Sequence, residues 1–292
     1  MCGIVGYVGG RPARELLLAG LRKLEYRGYD SAGISLIAGE HIEAVRAVGN
    51  LGALEAKLGV TGAGGSAAPQ KPVGAVALAE RPTEADGAPT IGIGHTRWAT
   101  HGRVSEENAH PHYDTDDRVH VVVNGIVENY MALKQRLAAE GSDFTSETDA
   151  EVIAHLIASH CQGDLAAAVR ATFAELDGHF AFVAMSVHQP DTLVGARREC
   201  PLVVGRGEGE QFIASAVPAF LAQTRLVQHV ENGEIVVLRP GGVQVTTATG
   251  ESVERSVEEV DWDEDTAEKG GYETFMLKEI HEQADTVAET IA

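Results

Sequence analysis

Apolar residues in this chain fall into two kinds of run. One kind is short and nearly continuous, at residues 4–8, 34–37, 42–48, 91–96, 119–123, 180–187, 192–195, 202–205, 211–214, 234–238 and 243–247. Runs this short, bounded by glycine and polar turn residues, predict β-strands. Most lack alternation between apolar and polar positions, so the strands are expected to be covered on both faces. The other kind recurs every three or four residues. Residues 14–24 place Leu17, Leu21 and Leu24 on one stripe, and residues 149–160 do the same with Val152, Ile153, Leu156 and Ile157. Residues 51–58, 130–140 (stopped by Gly141), 164–176 (ended near Gly178) and 272–292 complete the predicted helices. Many strands with helices in separate groups predict an α+β domain, its sheets covered by helices on their outer faces.

Between these elements, residues 26–33 form a turn-rich loop. Residues 60–90 are dominated by Gly, Ala, Pro, Ser and Thr without periodicity, which predicts a flexible surface insertion. The 292 residues are 44% hydrophobic and 23% charged, an ordinary globular balance. A net charge of −20 argues against nucleic acid and anionic membrane partners, which need a basic face. Residues 251–268 hold nine carboxylates and Arg255, read as a solvated surface or linker rather than a metal site. Cys2, Cys161 and Cys200 are widely spaced and include no C-x-x-C, so neither a disulfide framework nor a cysteine zinc site is expected, and a reducing cytoplasm fits. No apolar run reaches the length of a membrane span, and no signal peptide is read before Cys2. The last helix has no stop signal, which predicts a chain cut from something longer.

The chemistry begins at Cys2. Removal of Met1, expected before a small residue, would leave a thiol and a free α-amine on one residue, a nucleophile and base already assembled. The alternative is a small apolar residue opening the first strand. Residues 94–102, Gly-His-Thr-Arg-Trp-Ala-Thr-His-Gly, crowd functional side chains at a strand end. Arg97 there can clamp a carboxylate with two parallel hydrogen bonds. Asn124-Gly125 follows a buried strand and reads either as a hairpin turn or as an oxyanion hole. Residues 145–151 offer two overlapping capping boxes, Ser146 with Asp149 and Thr148 with Glu151, while Asp149 could instead meet a ligand ammonium. His95, His101, His110 and His112 match no zinc spacing, so no metal is expected. The Gly92-x-Gly94 pair precedes no helix and is discarded as a phosphate loop. Arginine, aspartate, an Asn-Gly donor pair and a thiol together describe an amino-acid site.

Six segments carry a family resemblance: residues 2–6, 24–33, 95–102, 108–112, 124–126 and 146–156. In this order they resemble the glutaminase halves of glucosamine-6-phosphate synthases, class II glutamine amidotransferases. The resemblance covers residues 2–245 as a glutaminase domain. It implies a four-layer αββα sandwich of the N-terminal-nucleophile hydrolase type. Cys2 is then the nucleophile, and Asn124 and Gly125 form the oxyanion hole. Arg97 holds the glutamine carboxylate and Asp149 its ammonium. Trp98, Thr100 and His101 line the pocket, and Arg27 supports the nucleophile. Residues 246–292 become an acidic linker and the start of a connection to an absent sugar-isomerase half, the full enzyme being a cytoplasmic homodimer that turns fructose 6-phosphate into glucosamine 6-phosphate without a cofactor. The glutaminase half of another class II enzyme, such as the purine-pathway phosphoribosyl amidotransferase, is the alternative. Two departures stand out: the insertion is longer than usual, and Val123 replaces a customary histidine.

Overall fold

A period-two alternation hidden inside the apolar runs sorts their side chains between two different interiors. The computed structural model describes residues 2–59 and 87–261, with helical positions at 277, 278, 280–283, 286 and 287. Its elements in chain order are β1 (Gly3–Val8), α1 (Ala13–Leu24), β2 (Ser31–Ala38), β3 (His41–Val48), α2 (Leu51–Lys57), β4 (Ile91–Arg97), β5 (His112–Tyr113), β6 (Val119–Val127), α3 (Tyr130–Ala139), α4 (Glu151–His160), α5 (Leu165–Glu175), β7 (Gly178–Ser186), β8 (Leu193–Arg198), β9 (Val203–Arg206), β10 (Gln211–Ala214), β11 (Leu226–His229), β12 (Glu234–Arg239), β13 (Gly242–Thr247), β14 (Ser252–Val253) and β15 (Glu258–Glu259). The first sheet runs β15-β11-β9-β10-β1-β4-β2-β3 and the second β14-β13-β12-β8-β7-β6-β5. Neighbouring strands in both are antiparallel.

On β1, Ile4 and Val8 enter the layer between the sheets, while Val5 and Tyr7 face α1. On β7, Ala181, Val183 and Met185 turn to the same inter-sheet layer, and Phe180, Phe182 and Ala184 face α4 and α5. Every strand residue of this kind is buried, so the runs read as continuous although the sides alternate. The result is helix, sheet, sheet, helix: the αββα sandwich. Gly92 and Gly94 belong to its packing. A Cβ at Gly92 would lie 2.9 Å from Leu17 Cδ1, and one at Gly94 3.0 Å from Leu21 Cδ1, so the glycines let α1 close onto β4. Each leucine buried there contributes about 1.5–3 kcal/mol.

Four short strands escape the sequence pattern: β5, β11, β14 and β15. They lie at sheet edges or carry exposed polar residues, so alternation and hydrophobicity give no signal. The acidic stretch supplies two of them, β14 on the second sheet and β15 on the first, with Glu251, Glu254, Glu258, Glu259 and Asp261 exposed. Residues 60–86 of the insertion lie outside the described residues. Its last part is anchored, with Pro89 O accepting from Ala13 N (2.8 Å) and Thr90 O from Gly9 N (3.1 Å). Helix α4 starts at Glu151 rather than Asp149, and β6 continues to Val127, four residues beyond its apolar run.

Candidate active site

Strand ends and loops from both sheets meet at a cavity of about 290 Å³. Cys2 enters just before β1. Arg97 closes β4, and Trp98, Thr100, His101 and His110 follow in the loop beyond it. Asn124, Gly125 and Ile126 come from the far half of β6, and Thr148 to Ala150 from the turn before α4. Arg27, Val123, Cys200 and Pro201 complete the wall. The residues singled out from the sequence therefore surround one space, although they are scattered over 148 positions from Cys2 to Asp149.

Cys2 Sγ sits 3.2 Å from the Trp98 backbone N–H, which donates to it, and 3.5 Å from Trp98 O. Burial pushes the Cys2 thiol above its ordinary value; the Trp98 N–H and the charges of Arg97 and Arg27 oppose this. Burial favours the protonated thiol, so attack by sulfur calls for a base. Arg27 reaches this corner by donating to Ser215 O (3.2 Å), and Ser215 Oγ in turn accepts the Ile4 N–H (3.1 Å).

Arg97 is 4% exposed. Its guanidinium donates to the carbonyls of His101, Gly102 (3.3 Å) and Arg103 (3.3 Å), folding the loop back over the strand end. Burial lowers its affinity for its proton; Cys2, Asp30 and Asp149 oppose this. Asp30 adds a second tie, its carboxylate accepting from Ala99 N (2.8 Å). Trp98 is 43% exposed and packs edge-on against Tyr29, with ring centroids 5.3 Å apart. Its backbone rather than its ring meets the sulfur. His101 is held by Tyr130 Oη at 3.0 Å.

Neither bland reading of the two remaining motifs survives. Asn124-Gly125 is no hairpin turn: both residues lie inside β6, paired with Ala181 and Phe180 of β7. Asn124 Nδ2 donates to Cys2 O (3.0 Å), which ties the second sheet to the chain's first residues. The expected capping boxes do not form. Glu151 alone accepts from Thr145 N (2.7 Å), Ser146 N (2.8 Å) and Ser146 Oγ (2.7 Å). Asp149 is thereby released from capping. Its Oδ2 accepts from Val127 N (2.7 Å), and the carboxylate lines the cavity.

Three neighbours of the site have no role that the sequence alone assigns. Tyr130 holds His101, Cys200 places a second thiol on the wall, and His95 lies behind Asn124 with Nε2 3.0 Å from its Oδ1. His95 was detectable, since residues 95 and 97 of one strand share a face. The His110 ring packs tilted against His95, with centroids 4.1 Å apart, and edge-on against His112 at 4.4 Å, and among the described residues no group of three or more His, Cys, Asp or Glu is arranged to hold a metal ion.

A profile described as a glutamine amidotransferase domain matches residues 95–222. Glutamine–fructose-6-phosphate aminotransferase (isomerizing) of Symbiobacterium thermophilum is 47% identical over 291 residues, 100% of this chain and 44% of that protein. The proteins of the same name from Methanosarcina mazei and Streptomyces coelicolor are 45% and 46% identical, again over 100% of this chain and 45% and 44% of theirs. The chain thus spans less than half the length of these relatives. Among solved structures, glutamine phosphoribosylpyrophosphate amidotransferase from B. subtilis, complexed with ADP and GMP, superposes with a TM-score of 0.66 at 25% identity, over 85% of this chain and 49% of that one. An allosteric regulatory enzyme of purine biosynthesis gives 0.67 at 25% identity with the same coverage. The shared fold spans both groups, but whole-chain identity of 45–47% falls on one side: the chain is a glutamine amidotransferase domain, homologous to the N-terminal part of glutamine–fructose-6-phosphate aminotransferases.

Proposed function

We propose that this domain hydrolyses L-glutamine to glutamate and ammonia, with Cys2 as nucleophile once Met1 has been removed. The observation that carries the reading is the contact between Asn124 Nδ2 and Cys2 O, because it sets an amide donor beside the thiol-bearing residue. Arg97 and Asp149 offer opposite charges to the same cavity, as the α-carboxylate and α-ammonium of an amino acid require.

In this mechanism the free α-amine of Cys2 takes the thiol proton as sulfur attacks the side-chain carboxamide carbon. An α-amine with an ordinary pKa of about 7.7–8.0 is suited to that transfer. The negative charge on the carboxamide oxygen is met by Asn124 Nδ2–H and the Gly125 N–H, each such donor worth roughly 10²–10³ in rate. The C–N bond then breaks, the ammonium formed on Cys2 returns the proton, and ammonia leaves a γ-glutamyl thioester. Water attacks the thioester, the thiol is released, and glutamate departs.

In the longer enzyme the ammonia would convert fructose 6-phosphate, held by a C-terminal isomerase half, into glucosamine 6-phosphate within a cytoplasmic homodimer. Identities of 45–47% to the amino-sugar enzymes, against 25% to the phosphoribosyl enzyme, support this over the purine alternative.

Glutamate release from glutamine by the purified domain tests the hydrolysis. Cys2→Ala is expected to lower it at least about 10³-fold, and active wild-type protein is expected to lack Met1 by intact mass. Turnover by Cys2→Ala, or an active species still carrying Met1, refutes the mechanism.

A further inference from the structure

His95 is fully buried, between the site and the inter-sheet core. Ile91 and Ile93 of β4 point into that core, so by strand alternation His95 and Arg97 face the same way. Its Nε2 lies 3.0 Å from Asn124 Oδ1, and an amide oxygen only accepts, so this nitrogen carries the proton. On the other side of the same amide, Cys2 O also only accepts, so the atom 3.0 Å from it is the amide nitrogen. The bond to Cys2 O fixes the amide orientation, since a flipped amide would set two acceptors against each other, and the His95 tautomer follows from that orientation.

The surroundings hold the ring neutral. His95 Nδ1 has no hydrogen-bond partner, and neither ring nitrogen of His110 has one. His110 packs against His95 at 4.1 Å and against His112 at 4.4 Å. Burial lowers His95 to about 4; the bond to Asn124 and the nearby Val123 backbone oppose this, and Arg97 adds to it. His112 falls to about 3 and His110 well below its ordinary range, both chiefly by burial. A charged ring here would face Arg97 and two further rings without a counter-ion.

We propose that His95 is a positioning residue for the oxyanion hole: its Nε2–H fixes the Asn124 amide plane so that Nδ2 points at the reacting carbon's oxygen. The bond to Cys2 O alone would let the plane swing about one contact, and the second contact at Oδ1 removes that freedom. The kinetic consequence rests on the glutaminase reading; the tautomer does not.

Two measurements test this. Long-range ¹H–¹⁵N spectra of the wild-type protein labelled at histidine, with His95→Gln to identify the signal, are expected to show a neutral Nε2–H ring for His95. That ring should not titrate between pH 5 and 8, with Arg97, His110 and His112 as its charged and titratable neighbours. In glutamine hydrolysis, His95→Phe is expected to lower kcat about 100-fold with KM within about twofold of wild type. His95→Gln, which can place an amide N–H near the same point, is expected to recover to within about tenfold. In an Asn124→Ala background His95→Phe should cost nothing more. A ring protonated at Nδ1 or titrating near 6.5 overturns the proposal, as does wild-type kcat in His95→Phe or an additive loss in the Asn124→Ala background. Should His95→Phe fail to fold, His95→Gln and the spectra decide the matter. Absence of hydrolysis by wild-type protein refutes the glutaminase reading, while the spectra still judge the His95 bond.

Discussion

Arg97 carries two demands at once. Its guanidinium binds three backbone carbonyls of the following loop, and so shapes the segment that presents Thr100 and His101 to the cavity. It is also a nearly buried positive charge beside Asp149 and Cys2. Lysine offers three donors on a flexible stem and no planar fork, so it cannot span those carbonyls and a ligand carboxylate together. Arg97→Lys is therefore expected to raise KM for glutamine at least about tenfold, with a smaller change in kcat. Steady-state kinetics across glutamine concentration check this; an unchanged KM would confine Arg97 to its loop carbonyls. Arg97 and Cys2 are legible in the sequence because their chemistry is local to the side chain. His95 reads there as one member of a crowded strand-end motif and a discarded metal ligand; its tie to Asn124 is not legible, because that partner lies 29 positions away on another sheet.

At the level of elements, β6 decides the site. Its first half is an apolar run that predicts a strand, and its second half, Asn124 to Val127, reads locally as a turn. Pairing with β7 overrides that local preference, and it is invisible without knowing which strands are neighbours. The same reason defeats the capping boxes before α4: Glu151 can replace Asp149 only because the preceding turn folds back to it. By contrast, α1 and α5 are legible within one or two residues, because an apolar pattern is a property of one segment. Gly125 packs directly against β7. It has φ of 107°, and a Cβ there would lie 2.0 Å from His179 O. Gly125→Ala must then push β6 away from β7 or abandon that conformation. A loss of about 2–4 kcal/mol is expected in urea unfolding, together with loss of glutamine hydrolysis, since the Gly125 N–H moves with the backbone. Unfolding at the wild-type urea midpoint would show that the strand absorbs the methyl group at no cost.

Across the whole molecule, the four-layer arrangement buries His95, His110 and His112 as neutral rings, and this links the fold's stability to pH. A histidine held near 4 in the fold but near 6.5 in the unfolded chain takes up its proton, over that window, only on unfolding. Stability from such a group is complete above about pH 6.5 and declines as pH falls toward the folded value. For His95 alone the loss amounts to about 2 kcal/mol at pH 5 and about 3 kcal/mol at pH 4. Glu151 acts lower down. Burial alone would raise it, but the His155 ring 3.8 Å away and hydrogen bonds from Thr145 and Ser146 prevail and hold it at about 2, so its contribution is lost only between about pH 4.5 and 2. A net charge of −20 works in the opposite direction, because self-repulsion eases on mild acidification. Wild-type melting alone therefore mixes two trends, and a variant must separate them. His110→Phe removes one of the titrating rings, and neither of the lost nitrogens leaves a partner unsatisfied. Relative to wild type, His110→Phe is expected to gain stability between pH 7 and pH 5 in urea unfolding, because burial holds His110 well below its ordinary range in the fold. Parallel pH profiles for the two proteins would mean that His110 takes up its proton without unfolding.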